Sequence, residues 1–209
     1  MKLSDNTVER ICKVFGYLNS AGRSGAEFVS SKDLAKAIGS TEYTVRKDIS
    51  LLGVCGYTRK GYAVRSLKEQ LGSRLNLNKK HKACIVGLGR LGSALLDYEK
   101  FQEDGFEIVA GFDCNINKLE RIQTQIDLFS DNDIKEIVAQ RAIEVGIIAV
   151  PSQRAQVVAD KLAEAGIKGI LNFSTHKVFV PENVIYLNLD FTNALRFIAT
   201  KVMINSAKM

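Results

Sequence analysis

The 209-residue sequence contains no apolar run long enough to cross a lipid bilayer. Its longest apolar stretches, such as residues 145–150 and 167–171, fall far short of the ~20 residues that a membrane-spanning helix needs. The amphipathic N-terminus also lacks the apolar stretch of a secretory signal peptide. We therefore expect a cytoplasmic protein with no membrane partner.

Cysteine and histidine are scarce, and their spacing gives no metal site. The four cysteines form no Cys-x-x-Cys pair and have no histidine pair nearby; they are Cys12, Cys55, Cys84 and Cys114. We expect buried free thiols, and a redox-sensing disulfide is the alternative. His81 precedes the first predicted strand of the larger part of the chain, and His176 lies in a predicted loop. His176 is the sole candidate for the acid or base of an enzyme, and a surface loop histidine is the simpler interpretation.

Positive charge is concentrated in the first part of the chain. The net charge is +6, but residues 1–80 hold 15 basic and 7 acidic side chains whereas residues 81–209 hold 14 and 16. The length allows one large domain or two small ones. A basic unit joined to a mildly acidic one indicates a nucleic-acid-binding module, because phosphate contacts dominate such binding. A solvated basic surface is the alternative on charge alone.

Helical periodicity in the basic unit predicts a helix-turn-helix. It indicates a first helix over about residues 6–19 and a second over 32–38, with a capping box at residues 30–33 and a terminating Gly39. Ser40 or Thr41 can cap a third helix that runs to about residue 52. This geometry places the third helix in a DNA major groove. The candidate DNA contacts are Ser31, Thr41, Glu42, Tyr43, Thr44, Arg46, Lys47 and Ser50.

Roles within that helix follow from position. Arg46 and Lys47 are assigned mainly to phosphates, and the residues at the helix start, 41–44, to base edges. An ordinary solvated helix face at residues 46–48 is the alternative.

Residues 54–64 predict a hairpin, or wing, with Arg59 and Lys60 at its tip. A further helix with Ser66 as its cap and a linker at residues 76–82 complete the unit.

The larger unit alternates predicted strands and helices, which is typical of a Rossmann-like α/β domain with a parallel sheet. A strand over residues 83–86 leads into a glycine-rich turn and a helix over 93–101, and a second strand over 107–112 ends in Asp113. This context predicts dinucleotide binding, with the glycines near the pyrophosphate and Asp113 on the ribose. The turn consists of Gly87, Leu88, Gly89, Arg90, Leu91 and Gly92.

Asp113 favours NAD over NADP, because a carboxylate accepts from a 2′-hydroxyl and repels a 2′-phosphate. Lys118 and Arg121 lie nearby and weaken that preference. The alternatives are a turn that binds nothing, or one that binds coenzyme A or another nucleotide.

Later strand ends extend the predicted cleft. A helix over 132–140, a strand over 143–150, a helix over 153–165 and a strand over 168–173 continue the sheet. Residues at two strand ends should lie near the nicotinamide: Val150, Pro151, Asn172, Phe173 and Ser174. Pro151 opening a helix and Asn172 capping a turn is the alternative. A strand over 184–188 and an apolar helix over about 190–204 are the last predicted elements, and they leave no room for a substrate domain. The apolar face of that helix should pack against a second subunit.

Taken together, these parts resemble the Rex family of redox-sensing transcriptional repressors over nearly the whole chain. The most specific matches are VRKDIS at residues 45–50, GLGRLG at 87–92 with Tyr98, AGIKGILNF at 165–173 and NLDF at 188–191. The resemblance implies a bacterial homodimer with a winged-helix domain (1–80), a Rossmann domain that senses NADH/NAD+ (81–189) and a swapped C-terminal helix (190–209). NADH would release the dimer from operator DNA.

Residue roles follow from the resemblance. The glycines of the turn would hold the pyrophosphate and Asp113 the adenosine ribose. Tyr98 and the partner subunit's Asp190 would belong to the redox-responsive contacts, with Phe191 near the nicotinamide. Three departures affect the switch and the operator sequence: Gly16 stands where the family commonly has arginine, the wing at 58–62 lacks a glycine, and Ser-Thr replaces Ala-Pro at 174–175.

Three functions remain open from the sequence. The first is a DNA-binding repressor released by NADH. The second is a small NAD-dependent oxidoreductase whose N-terminal unit serves oligomerisation. The third is a Rex-like DNA-binding protein whose redox response is altered or lost.

Overall fold

The chain divides after Lys80 into two units, Met1–Lys80 and His81–Met209. The computed structural model describes residues 3–56 and 60–206. The predicted linker extended to residue 82, but strand β3 begins at His81. Residues 81 and 82 therefore belong to the sheet, because both pair with β4 at residues 106 and 107.

The N-terminal unit packs four helices around one apolar core. Its central side chains, among them Ile11, Leu18, Leu34, Ile49 and Leu71, are 1% exposed or less. The described elements are α1 (Asp5–Arg23), β1 (Phe28–Val29), α2 (Ser31–Ile38), α3 (Glu42–Leu51), β2 (Tyr62–Ala63) and α4 (Val64–Leu75).

Local capping fixes the helix-turn-helix as predicted. The Ser30 hydroxyl accepts from the Asp33 N–H while the Asp33 carboxylate accepts from the Ser30 N–H, so the capping box at the start of α2 is confirmed. Gly39 ends α2 with φ +67°, a left-handed conformation that favours glycine. Thr41 then caps α3 by accepting from the Thr44 N–H.

Two expectations for the following segment are wrong. β2 pairs with β1, with Val29 opposite Tyr62, and not with a strand at residues 54–56. The chain then enters α4 directly at Val64, so Ser66 lies inside the helix instead of capping it. The Ser66 hydroxyl accepts from the Gln70 side chain at 3.0 Å. Arg59 of the predicted wing lies outside the described residues.

The C-terminal unit contains a parallel six-stranded sheet in the order β5-β4-β3-β6-β7-β8, with helices between the strands. The sequence alternates as expected, and β3 is buried at the centre. The elements are β3 (His81–Val86), α5 (Arg90–Leu96), α6 (Glu99–Glu103), β4 (Phe106–Asp113), α7 (Ile116–Leu119), β5 (Leu128–Ser130), α8 (Ile134–Arg141), β6 (Val145–Ile148), α9 (Ser152–Glu164), β7 (Gly169–Asn172), β8 (Ile185–Asn188) and α10 (Phe191–Ser206).

Local details of this unit differ from the sequence-based expectations. The helix predicted over residues 93–101 is two helices, because the chain breaks at Asp97 and Tyr98 between α5 and α6. Short β5 and α7 were not predicted. The thiols also differ: Cys84 is buried in β3, but the other three cysteines are exposed and free.

Helix α10 exposes a broad apolar surface in the single chain. Leu195, Ile198, Val202 and Met203 are 57–73% exposed, and no residue of α10 is buried. Over the described residues, no helix combines the length and the apolarity needed to span a membrane. Such a surface is the kind that a second subunit covers.

Candidate dinucleotide cleft and nucleic-acid interface

A cleft of about 350 Å³ opens at the carboxyl ends of β3, β4 and β6. The strand order reverses between β3 and β6, and ligands of open parallel sheets bind at such a switch point. The residues predicted to bind cofactor that line this cleft are Gly87, Gly89, Asp113, Val150 and Pro151. Lys118, which the sequence analysis placed near Asp113, also lines the cleft, whereas Arg121 does not. Further lining residues, which the sequence did not single out, include Cys114, Asn115, Asp131 and Arg154.

Each of the three glycines of the turn is glycine for a different structural reason. Gly87 has φ +96°, and a Cβ there would also press against the backbone of Ala149. A Cβ on Gly92 would collide with the Gly87 carbonyl, so Gly92 allows α5 to pack closely on the turn. A Cβ on Gly89 would meet nothing within 4 Å, and Gly89 lines the open cleft. This arrangement leaves a backbone cradle that fits a pyrophosphate.

Asp113 is nearly buried, with 7% exposure, at the end of β4. Its carboxylate accepts from the Leu88 N–H at 2.8 Å, the Asn115 N–H at 3.0 Å and the Lys118 ammonium at 2.7 Å. Burial alone would raise the pKa of Asp113, but these hydrogen bonds and the Lys118 charge outweigh it and lower the pKa. Asp113 is therefore ionised at neutral pH and already tied to the glycine turn.

Asn172 and Ser174 are buried and hold the loop after β7. The Asn172 side chain donates to the His176 carbonyl at 2.8 Å and to Asn188 at 2.7 Å, and it accepts from the Ser174 N–H at 3.0 Å. The Ser174 hydroxyl donates to the same carbonyl. Neither residue lines the cleft, and the turn uses the hydrogen-bonding groups of both side chains. These hydrogen bonds agree with the alternative that Asn172 caps a turn.

Other residues predicted to bind the cofactor or to form the redox switch do not line the cleft. Leu88 is fully buried, whereas Tyr98 is 50% exposed and its ring meets Phe101 edge-on at 5.2 Å. The rings of Phe173 and Phe191 lie 5.7 Å apart, which brings the start of α10 beside the end of β7. The Asp190 carboxylate accepts from the Asn193 N–H at 3.0 Å near the start of α10. Arg90 and Leu91 are exposed on α5.

The predicted DNA contacts meet at the junction of α2 and α3. Arg46 donates to Glu42 and to the Ser31 hydroxyl, both at 3.1 Å, and Ser31 also donates to Glu42. Tyr43 is 71% exposed, and Lys47 and Ser50 are exposed on α3. Lys60 lies over the Phe28 ring at 5.4 Å. The exposed polar side chains of α3 are of the types that contact base edges and phosphates in DNA complexes.

Asp48 has a positioning role that the sequence analysis missed. Its side chain is 4% exposed and accepts from Arg10 Nε at 2.6 Å and Nη2 at 3.0 Å. The Thr7 hydroxyl adds a bond at 3.3 Å. Asp48 therefore anchors α3 to α1. The available signal was its spacing, because Asp48 follows the buried Val45 by three residues and shares its face.

In the described part of the chain, no cluster of three or more histidine, cysteine or acidic residues could hold a metal ion. Residues 78–176 match a family model described as "CoA binding domain", and residues 2–50 match one described as "Putative DNA-binding protein N-terminus".

Curated relatives match across both units. The chain is 38% identical over 191 residues to "Redox-sensing transcriptional repressor Rex" of Carboxydothermus hydrogenoformans, which covers 91% of this chain and 92% of the relative. The relative of the same name from Ligilactobacillus salivarius is 36% identical over 93% of this chain and 92% of its own. The chain belongs to the Rex family. All of these Rex relatives are named as transcriptional repressors.

Solved Rex-family structures share the architecture. The crystal structure of RSP in complex with beta-NAD+ and operator DNA superposes with a TM-score of 0.86 at 28% identity, over 99% of this chain and 95% of that one. The RSP complex with beta-NADH gives 0.86 at 26% identity, over 99% and 97%. The likeness extends over both units, so the fold expected from the sequence, a DNA-binding N-terminal domain and a Rossmann-like sheet, is confirmed.

Proposed function

We propose that this protein is a redox-sensing transcriptional repressor that binds operator DNA as a homodimer and is released when NADH binds. The main support is that the match to the Rex repressors extends over more than nine tenths of the chain and so includes both the helix-turn-helix and the dinucleotide cleft. The protein is a regulator and not an oxidoreductase, as its relatives' names support. It acts in the cytoplasm, where a bacterial chromosome and the NADH pool are both present.

The C-terminal unit binds the dinucleotide. Gly89 leaves room for the pyrophosphate, and Gly87 and Gly92 keep the turn close to α5. Asp113 lies at the ribose position, and Val150 and Pro151 line the cleft on the β6 side. The bound dinucleotide supplies a nicotinamide ring whose charge and planarity differ between NAD+ and NADH. Sensing requires side chains that contact this ring differently in the two states.

The N-terminal unit binds DNA through α3. Thr41, Glu42, Tyr43 and Thr44 face base edges, while Arg46 and Lys47 contact phosphates. The Arg46 guanidinium is held by Glu42 and Ser31 before DNA arrives, so its orientation is already restricted. Asp48 keeps α3 fixed on α1 without facing the DNA.

Helix α10 joins the two subunits and couples the cleft to the DNA. Its exposed apolar face packs against the partner, and we infer that α10 is swapped between subunits. The Phe191 ring lies 5.7 Å from the ring of Phe173, which follows β7, and Asp190 precedes Phe191 in the chain. A tenfold preference for one redox state needs only about 1.4 kcal/mol, within reach of one charged or aromatic contact.

The test measures operator affinity by fluorescence anisotropy, at one salt concentration, with and without NADH. We expect NADH to weaken operator binding by wild type, and Gly89→Val to abolish this response while DNA binding persists, because Gly89 lines the cleft and a Cβ added there meets no atom within 4 Å. Gly169→Ala is the matched control, since its Cβ meets neighbours only at 3.9 Å. NADH-independent operator binding by wild type would refute the proposal and favour a Rex-like protein without redox control.

A further inference from the structure

Two cations line the cleft, and each rests on a buried carboxylate. Lys118 Nζ lies 2.7 Å from Asp113, and Arg154 Nη2 lies 2.7 Å from Asp131. The Asp113 and Asp131 side chains are 9% and 7% exposed, whereas those of Lys118 and Arg154 are 36% and 40% exposed. A ligand entering the cleft therefore meets the cations before the carboxylates.

Both pairs lie at the same end of the cleft. β4 and β5 are neighbours, and the Asp131 N–H donates to the Asp113 carbonyl at 3.2 Å. Lys161 adds a second cation on Asp131 at 3.3 Å. Asp113 ends β4, and an acid at the end of this second strand of a Rossmann sheet marks the adenosine ribose. The ribose end therefore carries three cations for two carboxylates.

The two lining cations keep hydrogen-bonding capacity for a ligand. A lysine has three N–H donors and an arginine has five. Within the described residues, one donor of Lys118 bonds to Asp113 and one donor of Arg154 bonds to Asp131. The remaining donors of both side chains are available on the exposed side, where an anion of tetrahedral shape can bind.

We infer that this end of the cleft accepts an adenine nucleotide with a phosphate on its ribose, held by Lys118 and Arg154. This inference rests on the proposed function, since it uses the same cleft and the same pyrophosphate cradle. A free carboxylate at Asp113 would repel such a phosphate, but Lys118 covers and neutralises that carboxylate. NADPH carries the phosphate on the 2′ oxygen and coenzyme A on the 3′ oxygen, so both share the required chemistry.

The test is calorimetric titration of the full chain with NADH, NADPH and coenzyme A at one salt concentration. We expect NADPH, coenzyme A or both to bind with a Kd within about tenfold of the NADH value. Lys118→Ala and Arg154→Ala should each weaken the phosphorylated ligand by about fivefold or more, with NADH affected by less than about twofold. Lys118→Arg keeps the charge and should retain the binding. Arg121→Ala removes an exposed cation of the same segment that does not line the cleft, and should change neither ligand.

The outcomes separate this inference from the function beneath it. A preference for NADPH assigns the 2′ position, and a preference for coenzyme A assigns the 3′ position. If NADH binds and both phosphorylated ligands bind more than about tenfold more weakly, the inference is wrong and the proposed function stands. Phosphorylated ligands that bind equally well to wild type, Lys118→Ala and Arg154→Ala also overturn it. If NADH itself does not bind, the proposed function fails.

Discussion

Replacing Asp48 with alanine measures how strongly the buried ion pair fixes the recognition helix α3. The carboxylate is 4% exposed and receives both Arg10 bonds and the Thr7 hydroxyl. Removing one partner of a buried pair costs about 3–5 kcal/mol, because the other charge stays without compensation. Arg10 is 28% exposed and regains some water, so we expect the lower end, a loss of about 3 kcal/mol in unfolding free energy.

The assay is urea unfolding followed by circular dichroism for wild type, Asp48→Ala, Arg10→Ala and the double variant. The losses of unfolding free energy in the two single variants should not add up to the loss in the double variant, and the coupling energy should be about 2 kcal/mol. Glu69→Ala is the matched control, because it breaks an exposed pair with Arg65 worth less than about 1 kcal/mol.

DNA binding gives a second readout of the same variant. Removing a solvated carboxylate from a DNA-facing surface would strengthen operator binding, whereas removing the anchor of α3 should weaken it. A loss of unfolding free energy below about 1 kcal/mol, additive singles or tighter DNA binding would show that Asp48 is an ordinary solvated residue.

Four further outcomes are expected. Gly16→Ala should stabilise the chain by about 1 kcal/mol in urea unfolding, because a Cβ within α1 meets nothing within 4 Å and glycine is a poor helix former; destabilisation would contradict this. Arg46→Ala should weaken binding to all DNA sequences and flatten its salt dependence, so an unchanged salt slope would remove Arg46 from the phosphate contacts. Burial raises the pKa of Cys84 to about 12, so a thiol reagent should label three cysteines in the native protein and the fourth only after unfolding; four native reactive thiols would argue against that burial. The pKa of Asp113 is lower in the folded protein than in the unfolded one, so its ionised form stabilises the fold. This contribution is fully present above the unfolded pKa of about 3.9 and is lost as the pH falls through the folded pKa. The loss of unfolding free energy in Asp113→Asn should therefore shrink below about pH 4.

Features encoded over a few residues were predictable from the sequence. The capping box at Ser30, the terminating Gly39 and the cap Thr41 each depend on contacts three or four residues away. The glycine turn and Asp113 also follow from local spacing, because a strand, a turn and a helix must share a tight geometry.

Features that depend on distant partners were not predictable. β2 pairs with residues of β1 more than 30 positions earlier, so the segment at 54–64 was misread as a hairpin of its own. Asp48 looked like part of a charged surface because its partner Arg10 lies 38 positions away. Arg154 lines the cleft and pairs there with Asp131, which lies 23 positions earlier in the chain. The pairing of β5 with β4 brings Asp131 to the cleft.

Redox control of DNA binding is measured by the ratio of the operator dissociation constants at saturating NADH and at saturating NAD+, determined by fluorescence anisotropy with one DNA and one salt concentration. We expect the operator to be bound in NAD+ and released in NADH, with at least a tenfold ratio, which corresponds to about 1.4 kcal/mol. Equal dissociation constants in the two ligands would contradict it.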